Sequence, residues 1–226
     1  MNWQNTGYLI SKNKYNENSI IAEFFTENYG KTSGIVFGAS SKKIRNYLLI
    51  GNKFHLNYFS KNLNKLGYFN LEIDKLYTPT FLENKKKLFC IVYCMNLIKL
   101  LTVENQENKN IYLLINYFFK ILNRKNWIKD FILWELEFFK IIGYDINFDD
   151  YVCKTTIKGN VKFVVKSVDN QRIVPSFLIN KNKKPESEYD VFEGLKIVGD
   201  FLDKTILKPN NINYPTSRLE FINILK

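Results

Sequence analysis

The sequence predicts an α+β protein in which a small β-barrel, residues 1–79, precedes a mostly α-helical domain, residues 80–226. Before Pro79 apolar and polar residues alternate with a period of two; after it, apolar residues recur at three- and four-residue steps. About five short strands with short connections suit a closed barrel, because closure removes the exposed edges of an open sheet.

Tyr8-Leu9-Ile10, Ser19 to Thr26 and Ser33 to Phe37 supply the first three strands, separated by turn-forming Asn13 to Asn18 and Glu27-Asn28-Tyr29-Gly30. In the fourth strand Phe54, Leu56 and Tyr58 face one way and Lys53, His55 and Asn57 the other. In the fifth, Phe69, Leu71 and Ile73 alternate with Asn70, Glu72 and Asp74. An OB-type barrel is the economical assignment; an SH3-like barrel has nearly the same periodicity. Between the third and fourth strands lies a small basic loop, Gly38 to Asn46, rich in cations and backbone amides and poor in apolar side chains, which is what a phosphate backbone requires.

After Pro79, Leu88, Ile91, Val92, Met95, Ile98 and Leu101 mark one long amphipathic helix from about Phe81 to Val103. Glu104 to Asn110 is a polar break, and Ile111 to Leu122 and Trp127 to Ile142 read as two further helices, the second closed by Gly143. Trp127, Phe131, Trp134, Phe138 and Phe139 make that second helix apolar enough to be packed all round. An irregular or β-like excursion occupies residues 151–177, with Val161, Phe163 and Val165 set against Lys162, Val164 and Lys166. Asn180 to Glu188 is a polar loop, a helix follows from about Val191 to Leu207, and Pro215-Thr216-Ser217 open a last one.

At 226 residues, 46% of them hydrophobic, the chain is large enough for one or two cores without disulfides or metals. No apolar run reaches the roughly 20 residues of a membrane span, and Met1-Asn2-Trp3-Gln4 lacks the features of a signal peptide, so a soluble cytoplasmic protein is expected. Three scattered cysteines, Cys90, Cys94 and Cys153, do not form a secreted disulfide framework. Cys90 and Cys94 are expected to be core thiols, because no second pair completes a zinc site.

The net charge of +11 is discounted, because lysine and asparagine are abundant throughout and arginine occurs only at positions 45, 124, 172 and 218, as biased codon use would produce. Its distribution is more informative. Residues 1–80 carry ten basic against five acidic side chains, and residues 81–150 ten against nine, so positive charge is concentrated on the barrel. Lys42, Lys43 and Arg45 are the leading phosphate contacts; Lys12, Lys31 and Lys53 join them by position at strand ends. Tyr15, Tyr29, Tyr47 and Tyr58 are candidates for base stacking or for the core. Catalytic chemistry is absent from the pattern: the single histidine, His55, lies mid-strand on the polar face, no Gly-rich phosphate loop is present, and Asp145, Asp149 and Asp150 read as caps or solvated residues.

Several short motifs in order resemble the RecO family of bacterial repair and recombination mediators. They are Trp3, Gly7 and Leu9; Tyr15, Glu17 and Ser19; Thr26 and Gly30; Gly38-Ala39 leading to Ser41-Lys42-Lys43 and Arg45; and Leu49, Gly51 and Asn52. The similarity continues through Glu135, Gly143-Tyr144, Phe148, Cys153 and a closing Pro215, Ser217, Arg218 and Phe221. The resemblance implies an OB domain that binds single- and double-stranded DNA, a helical C-terminal domain and no enzymatic turnover. It also implies strand annealing and, with RecR, loading of RecA onto DNA coated by single-stranded DNA-binding protein, whose acidic C-terminal tail is a further partner. Two departures stand out. Cys153 alone occupies the place of a four-cysteine zinc site found in some members, so no cofactor is expected, and Leu133-Trp134-Glu135 replaces a basic Arg-Phe-Glu. For the acidic tail, Trp134 and Phe138 are the candidate floor of a groove and Arg124 and Lys129 its rim, against the alternative that both aromatics are plain core. The competing functions are an OB-fold RNA-binding protein and a non-catalytic interaction scaffold.

Overall fold

The computed structural model describes residues 2–61, 65–157, 160–165 and 172–225. Strands β1 (Asn2–Lys14), β2 (Ser19–Thr26), β3 (Gly30–Phe37), β4 (Lys53–Phe59) and β5 (Gly67–Lys75) close into a barrel in the order β1-β2-β3-β5-β4, an OB fold. All neighbours are antiparallel except β3 and β5, which meet in parallel at Gly34 opposite Gly67 and Ile35 opposite Tyr68. That seam needs its glycines: a Cβ on Gly34 would stand 2.5 Å from the Phe69 ring, and one on Gly67 2.4 Å from Tyr58.

The alternation read from the sequence places Leu9, Ala22, Phe24, Val36, Phe54, Leu56 and Phe69 in the barrel core. Trp3 stacks between Tyr29 and Tyr58, with centroids 4.4 and 4.9 Å away, and Tyr47 packs on the same core. Three of the four tyrosines considered for base stacking are therefore barrel residues, and only Tyr15 is exposed. Ile73, expected inside, is exposed beside a register shift in the β4–β5 pairing at Lys53/Phe54.

The expected basic loop is in part helical. Gly38 to Ser41 form a turn, and Ser41 caps a six-residue helix, α1 (Lys42–Tyr47), its hydroxyl accepting from the Ile44 amide. Next, a 3₁₀ turn at Thr78–Phe81 precedes α2 (Lys85–Leu101), capped by Asn84, so the helix expected from about Phe81 to Val103 is present but starts later and ends sooner. Cys90 and Cys94 are buried on α2, whereas Val92, expected on the same apolar stripe, is exposed. The helices α3 (Lys109–Ile121) and α4 (Trp127–Ile141) lie where the spacing predicts, with Gly143 at φ +98° beyond α4.

A short helix α5 (Phe148–Tyr151) leads into an antiparallel sheet of β6 (Val152–Ile157), β7 (Asn160–Val165) and β8 (Ile173–Val174). Val152 and Val174, both buried, pair with Val165 and Phe163 and so lie on the face expected inside, while Val164 is buried on the opposite face; Lys166 lies outside the described residues. After α6 (Ser176–Ile179), α7 (Glu188–Phe201) starts at a capping box of Ser187 and Asp190 and widens into a π-helical turn, Leu202–Leu207. The final helix is α8 (Thr216–Leu225).

Two compact units result. One comprises residues 1–113 with 215–226, the other residues 114–214; residue 79 marks the change from strand to helix within the first. In the first unit α8 packs on α2: Arg218, fully buried, donates to the Tyr93 hydroxyl, Tyr93 stacks on Phe221, and Asn96 donates to Ser217 Oγ at 2.9 Å. In the second, Phe131, Trp134 and Phe138 stack along α4 with centroids 5.8 and 5.7 Å apart, and Trp134 Nε1 donates to the Leu114 carbonyl at 2.8 Å. Among the described residues no helix is long and apolar enough to cross a membrane.

Candidate nucleic-acid interface

The β1–β2 turn and the β3–β4 connection are tied together beside α1. The Ala39 amide donates to the Asn18 carbonyl at 3.0 Å, Ser40 Oγ donates to Asn18 Oδ1 at 2.9 Å, and between the two segments lies a groove of about 300 Å³. Lys12, Lys14, Glu17, Ser40, Arg45 and Leu48 are among the residues that line it. Loops at one end of a rigid barrel are a favourable place for recognition, because the scaffold holds them without committing their side chains to the core.

The six cations singled out by sequence separate into two sets. Lys42, Lys43 and Arg45 are exposed on α1, and among the described residues no ion pair or side-chain hydrogen bond engages them. Lys12, Lys31 and Lys53 are engaged inside the first unit. Lys12 Nζ donates to the Leu48 carbonyl at 2.7 Å, and burial lowers its pKa. Lys31 Nζ donates to the Lys99 carbonyl at 2.8 Å; burial lowers its pKa although Glu23 and Glu104 oppose the shift. Lys53 is 2.9 Å from Asp74: burial pushes its pKa down, but Asp74 and Tyr112 together outweigh this and leave it raised. A lysine already holding a carbonyl or a carboxylate has fewer of its three donors, and less freedom of position, to offer a phosphate.

In the second unit, Trp134 and Phe138 are 2% and 0% exposed and belong to the aromatic core, so they line no surface groove. Arg124 is exposed, 3.0 Å from both Asp130 and the Tyr117 hydroxyl, with its guanidinium 5.1 Å from the Tyr117 ring centroid. Lys129 Nζ donates to the Lys181 carbonyl at 2.8 Å. The Cys153 thiol donates weakly to the Val164 carbonyl at 3.6 Å, and among the described residues no three His, Cys, Asp or Glu cluster as metal ligands.

Sequence reasoning missed one feature of the barrel surface. Phe37, Tyr68 and Phe59 form a contiguous set of rings on β3, β5 and β4. The signal was present in register, since Tyr68 and Phe69 are adjacent and must point to opposite faces.

Comparison with known proteins agrees with this architecture. Residues 1–75 match the family model described as Recombination protein O N terminal, and residues 82–178 the model described as Recombination protein O C terminal. The chain is 31% identical to a DNA repair protein RecO of Rickettsia canadensis over 198 residues, 81% of each chain. It is 24% identical to the RecO of Ehrlichia chaffeensis over 100% of this chain and 98% of the relative, and 23% identical to that of a Wolbachia of Drosophila simulans over 96% and 98%.

Proposed function

The chain belongs to the RecO family of recombination proteins, non-catalytic mediators, and on that premise we propose that its barrel binds single- and double-stranded DNA and anneals complementary strands. With RecR as partner, it helps load RecA onto DNA coated by single-stranded DNA-binding protein, acting in the cytoplasm. The observation that carries this proposal is the set of exposed, unengaged cations on α1 beside a groove at one end of the barrel. Phosphates need mobile positive charge that costs no internal contact, and Lys42, Lys43 and Arg45 supply it. Lys12, Lys31 and Lys53 support the interface from within.

For the acidic tail of single-stranded DNA-binding protein, Arg124 and Lys129 are the proposed rim that receives the carboxylates, without Trp134 and Phe138 as a floor. Annealing of complementary oligonucleotides, with and without the cognate single-stranded DNA-binding protein, tests the whole proposal. Faster annealing of both bare and coated strands is expected. No acceleration of bare strands, or tighter binding to matched RNA than to DNA, overturns it.

A further inference from the structure

Three aromatic side chains stand outside the barrel where none is required by the core. Phe37 ends β3, Phe59 ends β4 and Tyr68 is the second residue of β5. Phe59 and Tyr68 are directly opposed and their rings stack, 5.1 Å between centroids and 20° between planes. Tyr68 also pairs with Ile35, which sets Phe37 two residues along on the same face; its ring centroid is 5.8 Å from that of Tyr68. Phe37 is 56% exposed and Tyr68 38%. Rings this open gain little from burial, and a contiguous apolar patch on a surface points to a ligand.

Both ends of this row run into cations. Beyond Phe37 the chain passes through Gly38–Ser41 to Lys42, Lys43 and Arg45 of α1. Beyond Phe59 comes exposed Lys61, and exposed Lys65 precedes Tyr68; Ser60 Oγ donates to the Lys65 carbonyl at 3.2 Å. Rings flanked by lysines that hold no ion pair among the described residues suit a strand that offers bases and phosphates at once. In a duplex the bases are already stacked on each other, so the rings have a partner only where DNA is single-stranded.

We propose that Phe37, Tyr68 and Phe59 form a base-stacking platform for single-stranded DNA. The platform rests on the DNA-binding role given above and adds to it a contact that separates single from double strands. The α1 cations bind either form through phosphate; the platform engages bases that have been freed.

Phe37→Leu and Tyr68→Leu in the full chain keep an apolar cover and remove the ring faces. Titration of an oligothymidine and of a duplex at matched salt then reads the platform. The single-strand affinity is expected to fall about tenfold or more, with duplex affinity unchanged and the salt dependence of binding intact, because no phosphate contact is lost. Equal losses on both forms, or none, overturn the platform. A parent chain that binds neither form removes the DNA-binding role and the platform with it, whereas normal binding that ignores both substitutions removes the platform alone. Photocrosslinking of the unsubstituted protein to an oligonucleotide carrying 5-iodouracil gives a second readout independent of any variant. Adducts on Phe37, Tyr68 or Phe59 are expected; adducts confined to other residues overturn the proposal.

Discussion

The cations of α1 and those of the second unit have opposite surroundings. Lys42, Lys43 and Arg45 sit on a six-residue helix anchored to the barrel core by Ile44 and Tyr47, and they meet solvent. In the second unit Arg124 holds Asp130, Lys129 holds a carbonyl, and Arg172 spans Glu193 and Asp200. Charge of one sign thus does two kinds of work in one chain: where partners are close it stitches elements together, and where they are absent it is left for something outside the molecule. The same division holds for aromatics. Trp134 and Phe138 lie within α4's core, while Phe37 and Tyr68 lie open on the barrel.

The largest effect that sharpens this contrast is expected at Phe138. Truncation to alanine leaves a cavity in the stacked row on α4 and should cost about 3–5 kcal/mol in denaturant unfolding. A cost below about 1 kcal/mol would show that the ring is not core after all.

Next comes replacement of Lys42, Lys43 and Arg45 by glutamine. Log–log plots of DNA affinity against salt should lose about two to three units of slope, with thermal stability unchanged. An unaltered slope in a folded triple variant breaks the contrast from the other side, by making α1 an ordinary solvated turn.

Glu193 probes the stitched set. Burial pushes its carboxyl up, but hydrogen bonds from Lys196 and Arg172 more than offset this and hold it below the usual carboxylate range. Stability from this group is therefore present above the unfolded-state value of about 4.3 and is lost as pH falls through the lower folded value. Glu193→Gln should cost about 1–2 kcal/mol at neutral pH, the gap closing as the parent protein is acidified below about pH 4. A gap independent of pH would show that the ion pairs contribute nothing.

Charge reversal at Arg124 and Lys129 is expected to cost less than about 1 kcal/mol of stability, because both are surface contacts. The same variants should weaken binding of an acidic tail peptide by calorimetry. Unchanged affinity removes these two residues as its rim.

The five strands were legible because period-two alternation is local: Phe54, Leu56 and Phe69 declare their face within a few residues. Helix α1 was not, since six residues are too few to show a helical period and the serine cap is also a turn signal. Burial of Val164 as well as of Val152 and Val174, which share the face of Val165 and Phe163, requires cover on both sides of the sheet, which alternation alone does not announce. Among the site residues, Lys12 and Lys42 look alike as letters. They differ because the carbonyl that holds Lys12 is that of Leu48, far along the chain, and only folding brings it near. For Trp134 the helical spacing fitted both a groove and a core, and neighbouring rings made it core.

Helix α8 has a consequence for synthesis. The first unit is completed by residues 215–226, and these leave the ribosome only after all of residues 114–214. Until then α2 presents Tyr93 without the Arg218 and Phe221 that cover it. The barrel sequence emerges first, yet its unit is finished last, and a stop codon near residue 214 would spare every proposed DNA contact while leaving the nascent chain with an uncapped, sticky helix for chaperones and proteases to find.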